Sequence, residues 1–196
     1  MRLMAPKVVL CTVGSLGDLY PFMAVAEALT ARGASTLIAT TPDHATLVRD
    51  AGLSAVAVYP ELADILGLRR LSVEQTWQRI QDDSLFVFEF IMAHTMEAVR
   101  ALFEHVADAS VVVGYNLAAA GEVAAARCNV PFVPVFLHPM TMMSAYDPPI
   151  LLGRSAFFDR PRGGPKLWWN KQVVAFALRM MRRRLAPQLN NVRAAA

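Results

Sequence analysis

Short apolar runs rich in β-branched residues alternate along this chain with stretches whose apolar residues recur every three or four positions. Residues 7–11, Lys-Val-Val-Leu-Cys, read as a buried strand. Beyond a glycine-punctuated loop, Phe22, Val25, Ala26 and Leu29 lie at i, i+3, i+4 and i+7, the stripe of an amphipathic helix. Pro21 suits the first turn of that helix, and Gly33 suits a left-handed cap beyond its end. Residues 35–39 form a second strand, and Thr40-Thr41-Pro42-Asp43 opens a short helix closed by Gly52. Residues 54–59 form a third strand. Three strand–helix units at this spacing predict a right-handed parallel sheet with helices on both faces.

From 60 to 83 the pattern loosens into short helical pieces around Leu66 and Trp77. Residues 84–106 form a longer helix with Phe88, Ile91, Met92, Thr95, Met96, Val99, Leu102 and Phe103 on one broad face. A fourth strand over 109–113 ends at Gly114-Tyr115-Asn116, and 117–127 is a small-residue helix able to lie close on the sheet. Residues 130–136 carry Pro131 and Pro134, so this strand lies near an edge or enters a loop. A proline-bearing loop from 138 to 165 is long enough to be functional or mobile. The last helix, 166–184, carries Trp168, Trp169, Val173, Phe176, Ala177, Met180 and Met181 and ends in Arg182-Arg183-Arg184. The expected fold is a three-layer α/β, Rossmann-like domain with a mostly parallel sheet over 1–165, then a basic amphipathic segment over 166–196.

Composition narrows the function. Hydrophobic residues make up 55% of the 196 positions and charged ones 18%, which fits a packed domain. The formal charge is +3, and the basic excess collects near the C-terminus without a nucleic-acid motif, so no nucleic-acid partner is expected. Cys11 and Cys128 read as reduced thiols of a cytoplasmic protein. Arg2 and Lys7 precede an apolar run too brief for a signal peptide, with no cleavage pattern after it. No apolar stretch reaches the roughly 18–20 residues a membrane span needs.

The chemistry concentrates in Thr12-Val13-Gly14-Ser15-Leu16-Gly17-Asp18-Leu19-Tyr20-Pro21, between the first strand and first helix. In a parallel sheet that junction lies at the carboxyl end of a strand, where helix N–H groups face a ligand. A dinucleotide site would want Gly-x-Gly-x-x-Gly and an acid ending the second strand. Here the glycines stand as Gly14-x-x-Gly17, and Asp43 comes two residues too late. A phosphate-binding Gly-Lys-Ser/Thr loop, zinc-ligand spacing and a Gly-x-Ser-x-Gly elbow are all missing, so neither metal nor resident cofactor is expected.

Residues 8–22, with Ala26-Glu27-Ala28-Leu29 and Arg32-Gly33, resemble the opening of GT-B glycosyltransferases, in the bacterial branch of antibiotic, sterol and rhamnolipid-type enzymes. Thr40-Thr41-Pro42-Asp43-His44, Ala51-Gly52-Leu53, Val111-Val112-Val113-Gly114 and Val130-Pro131-Phe132 continue the likeness, which is specific over roughly the first 55 residues. The resemblance implies two Rossmann-like domains, the N-terminal one holding the acceptor and the C-terminal one a nucleotide diphosphate-sugar. This chain resembles the N-terminal half alone: Gly163-Gly164 runs into Pro165 and lacks the histidine of the family's donor loop. That implies a hexosyltransferase half, inactive without a donor domain.

The resemblance makes Asp18 the base that takes the acceptor hydroxyl's proton. The alternative is that Asp18 only complements the dipole of a helix starting near Pro21. Plant-type relatives place a histidine in this loop and an aspartate after the fourth strand; Gly114-Tyr115-Asn116 excludes that dyad here. Ser15, Gly17, Asn116, His138 and Met142 are expected around the acceptor. Met140, Met142, Met143 and Tyr146 form a soft apolar surface suited to a hydrophobic or lipid-like acceptor, with Phe86, Phe88 and Phe90 as core. His44 reads as a surface residue, and His94 and His105 as surface or half-buried. Another reading is a non-catalytic recruiting subunit for a donor-binding chain. Contact of the last helix with the inner face of a membrane is a further expectation.

Overall fold

A computed structural model describes residues 5–61, 64, 72, 74, 75, 78, 86–138, 142–148 and 163–195, with the backbone alone over 86–90. The helical pieces expected around Leu66 and Trp77, most of the proline-bearing loop, Met140 and the side chains of Phe86, Phe88 and Phe90 lie outside that description. The chain divides into two units, Met1–Val135 with Val192–Ala196, and Phe136–Asn191.

The first unit runs β1 (Lys7–Cys11), α1 (Leu16–Thr30), β2 (Ser35–Thr40), α2 (Pro42–Asp50), β3 (Ala55–Ala57), α3 (Phe86–Val106), β4 (Val111–Tyr115), α4 (Ala119–Arg127) and β5 (Phe132–Val135). The five strands form one sheet in the order β3-β2-β1-β4-β5, and every pairing is parallel. This is the Rossmann-like half predicted. Val9, Leu10 and Cys11 are fully buried, as expected of a central parallel strand covered on both faces. Leaving β1 toward β2 in one direction and β4 toward β5 in the other, right-handed crossovers put α1 and α2 on one face and α3 and α4 on the other. β5 is an edge strand, as its prolines predict, with Pro134 opposite Gly114.

Glycine and asparagine punctuation ends three helices in the same way. Gly33, Gly52 and Asn129 all have positive φ. After each, the next N–H reaches five residues back, Ala34 to Leu29, Leu53 to Val48 and Val130 to Ala125, which satisfies carbonyls the helix leaves open. α4 lies on β1 because Gly121 has no side chain: a Cβ there would stand 2.9 Å from the Cys11 Cβ and 3.0 Å from its Sγ.

The start of α1 differs from expectation. The helix begins at Leu16 with Ser15 as N-cap, and Pro21 lies inside it. Pro21 therefore cannot donate to the Gly17 carbonyl, a local loss near the helix start. The earlier start also rotates the buried stripe onto Leu19, Phe22 and Ala26 and leaves Val25 exposed.

In the second unit, α5 (Gly164–Ala195) continues past Arg184 and through Pro187. Within this unit Asn170 donates to the Ala145 carbonyl at 3.1 Å, and the Lys171 ammonium lies 5.8 Å from the Tyr146 ring centre. The last turn of α5 counts with the first unit, where Val192 is buried and Arg193 pairs with Glu122 at 2.8 Å. Among the described residues, no helix is long and apolar enough to cross a membrane.

Candidate functional site around Asp18

β1 and β4 are neighbours from which the chain departs in opposite directions, so their carboxyl ends form the switch point of the sheet. Just past β1, the Thr12 hydroxyl donates to the Asp18 main-chain carbonyl at 3.0 Å. Gly14 turns the chain at φ +140°, a conformation that side chains rarely adopt, and Ser15 starts α1. Asp18 is the third residue of α1 and only 8% exposed. Its Oδ2 accepts the Ser15 N–H at 2.7 Å and the Ser15 hydroxyl at 2.9 Å. A Cβ on Gly14 would fall 2.4 Å from that same oxygen. Glycine at position 14 thus serves both the turn and the space the carboxylate fills.

The other side of this carboxylate's surroundings comes from β4. Tyr115, its last residue, is 2% exposed. Burial, then the nearby Asp18 charge, push the Tyr115 phenol above its ordinary range. Asp18 does complement the helix N-terminus, as one reading of the sequence has it. It does so from inside the first turn, because the helix begins at Leu16 and not near Pro21. The cap engages one carboxylate oxygen, Oδ2, through the Ser15 N–H and hydroxyl, at the switch point of the sheet.

Ser15 and Gly17 are exposed beside Asp18, and Leu16 and Tyr20 add exposed apolar surface to the same turns of α1. Asn116 directly follows Tyr115 and is half-buried. Its N–H donates to the Val135 carbonyl at 3.1 Å, and its side-chain Oδ1 is buried without a hydrogen-bond partner. Asp18, Ser15, Gly17 and Asn116 thus belong to the strand ends of the first unit. His138 and Met142 belong to the second unit, where His138 is exposed and Met142 is 65% exposed. His94 and His105 are half-buried, but His44 is buried with Ala45 and Val48 on the inner face of α2. Its place in the third helical position, not its polarity, decides that.

Tyr115, buried at the end of β4, is a residue the sequence reading does not place at the site. The available signal was a polar aromatic ending a strand that pairs beside β1. Cys11, by contrast, offers no nucleophile: complete burial pushes its thiol up to about 12. Among the described residues no group of three His, Cys, Asp or Glu side chains is placed to hold a metal ion.

Comparison with known proteins agrees with this architecture. The chain is similar to the glycosyltransferase SnogD from Streptomyces nogalater, at 24% identity over 69% of this chain and 36% of that one, with a TM-score of 0.53. It is similar to the glycosyltransferase SsfS6 of Streptomyces sp. SF2575, at 16% identity over 95% and 46% of the two chains, TM-score 0.51. A third likeness is to CalG4, the calicheamicin glycosyltransferase, at 24% identity over 69% and 31%, TM-score 0.50. These are likenesses of fold, and the chain spans between 31% and 46% of these structures' lengths. No curated protein matches it. Residues 8–138 match the model of the glycosyltransferase family 28 N-terminal domain, and the chain belongs to that family.

Proposed function

We propose that this chain is the acceptor-binding half of a hexosyltransferase, moving sugar from a nucleotide diphosphate-sugar to a hydroxyl of a small hydrophobic or lipid-like acceptor. The observation that carries the reading is the buried Asp18 carboxylate at the β1–β4 switch point, held by the Ser15 N–H and hydroxyl. In the reaction the acceptor oxygen forms a bond to the anomeric carbon while the bond to the nucleotide diphosphate breaks. Asp18 takes the proton the acceptor oxygen gives up. Ser15, Gly17 and Asn116 line the acceptor, and the unpartnered Asn116 Oδ1 is suited to receive a donor group from it. Exposed Leu16 and Tyr20, on the turns of α1 that carry Asp18, favour an apolar acceptor. A C-terminal donor-binding domain holds the nucleotide-sugar, which serves as co-substrate, so the chain alone gives no turnover.

Calorimetric titration checks this division of labour. Hydrophobic alcohols and phenols are expected to bind the isolated chain, and UDP and dTDP to give no heat. Micromolar binding of either nucleotide would contradict it.

The exposed face of α5 favours a second reading, recruitment to an anionic membrane surface in the cytoplasm. Trp168, Trp169, Phe176 and Met180 are exposed on this helix. Arg179, Arg182 and Arg183 line a cavity of about 430 Å³ with Ala175 and Leu178. Aromatic and basic residues together suit an interfacial helix. Co-sedimentation with phosphatidylglycerol vesicles, lost in 0.5 M salt at roughly a 4 Å screening length, is the expected result. No binding at low salt would end the idea.

A further inference from the structure

We infer that Ser15 is a proton relay in sugar transfer, its hydroxyl taking the acceptor's proton while it passes its own to the Asp18 carboxylate. The inference rests on the proposed role of Asp18 as base.

The geometry sets the carboxylate behind the serine. Asp18 is 8% exposed, and its Oδ1 is buried. Its Oδ2 is closed on the Gly14 side, where even a Cβ would fall 2.4 Å away. Ser15 is exposed, and its hydroxyl meets Oδ2 at 2.9 Å. A hydroxyl arriving from solvent at the start of α1 thus meets the serine before the acid. The direction of the Ser15–Asp18 bond follows from its chemistry. An ionised carboxylate only accepts, so the Ser15 O–H points inward and a lone pair of Oγ is left for an incoming O–H.

Helix capping does not account for that proton. In a capping box the serine oxygen accepts, and its hydrogen has no part. Here the Ser15 N–H donates to Oδ2 at 2.7 Å, and the Asp18 N–H donates to the Ser15 main-chain carbonyl at 2.9 Å. The helix start is satisfied without the hydroxyl proton. Nor does a cap need exposure: Thr41, the N-cap of α2, is fully buried.

In the step itself two O–H bonds break and two form. The acceptor's proton moves onto Ser15 Oγ as the serine's own proton moves onto Asp18 Oδ2. The electron pair of the broken acceptor O–H bond stays on its oxygen, which bonds the anomeric carbon, and the nucleotide diphosphate leaves with the pair of the bond it gives up. Serine ends neutral and Asp18 protonated.

Transfer assays on the chain joined to a donor-binding domain test the relay with Ser15→Gly, Ser15→Thr and Asp18→Asn. Glycine is a competent N-cap and keeps the N–H that holds Oδ2, so Ser15→Gly removes the hydroxyl and leaves the cap nearly intact. It is expected to lower kcat about a hundredfold while acceptor KM stays within about twofold. Ser15→Thr, which restores a hydroxyl, is expected to recover kcat to within about threefold of wild type. Wild-type kcat in Ser15→Gly, with Asp18→Asn inactive, overturns the relay and leaves the base standing. A raised KM with kcat unchanged in Ser15→Gly makes the serine an acceptor contact and overturns the relay as well. Full activity in Asp18→Asn overturns both.

Discussion

At the scale of single residues, two glycines with positive φ separate strain from collision. Gly33 has φ +86° and nothing within 4 Å of the place a Cβ would occupy, so Gly33→Ala meets only the backbone cost, about 1 kcal/mol. Gly14 has φ +140°, and a Cβ there would sit 2.4 Å from the Asp18 Oδ2. Gly14→Ala must therefore displace the carboxylate as well and is expected to cost about 3 kcal/mol or more. Urea denaturation measures both, and equal losses would contradict the packing of Asp18 on Gly14. Cys11 gives a pH prediction. Its thiol is pushed up to about 12 in the folded chain by burial, above its ordinary value of 9.0. The stabilisation linked to this group is complete below pH 9 and is lost as pH rises from about 9 to 12, where the unfolded chain releases a proton the folded chain keeps. Stability should fall across that window, and less steeply in Cys11→Ala. At pH 8 a thiol reagent should modify half-buried Cys128 and spare Cys11 until the chain unfolds. Rapid modification of both thiols in the folded chain would contradict this.

At the scale of elements, the strands were legible because a parallel sheet covered on both faces demands continuous apolar runs, and 7–11, 35–39 and 109–113 supply them. The helix ends at Gly33 and Gly52 were legible for a related reason, since positive φ selects glycine. The start of α1 was not. Pro21 was read by its preference for a first turn, whereas Ser15-x-x-Asp18 carries the stronger start signal, because the Asp18 side chain satisfies the N-cap N–H. That single shift explains why Val25 is exposed and why Asp18 lies within the helix and not ahead of it. Of the site, Asp18, Ser15 and Gly17 could be read from one contiguous loop. The closeness of the end of β4 could not, because it depends on β4 pairing beside β1, a choice of strand order that no local pattern encodes. The close approach of α4 to the sheet yields a prediction of its own. Gly121→Val would press side-chain atoms onto Cys11 and Val112 and should cost about 1–3 kcal/mol, read as a lower urea midpoint. An unchanged midpoint would mean that α4 rides higher on β1 than described.

At the scale of the whole molecule, the first unit brings the family-28 N-terminal fold together with a buried Asp18 at the carboxyl ends of its central strands. The basic, aromatic face of α5 raises a separate question, that of partner or membrane. The central claim concerns Asp18, and transfer by the chain joined to a donor-binding domain tests it most directly. With nucleotide-sugar and a hydroxyl acceptor supplied, Asp18→Asn is expected to lower kcat by about 10²–10⁴-fold, the usual contribution of a general base, while the chain stays folded and still binds acceptor. Turnover by Asp18→Asn at the wild-type rate would contradict the account and leave Asp18 as a helix cap alone.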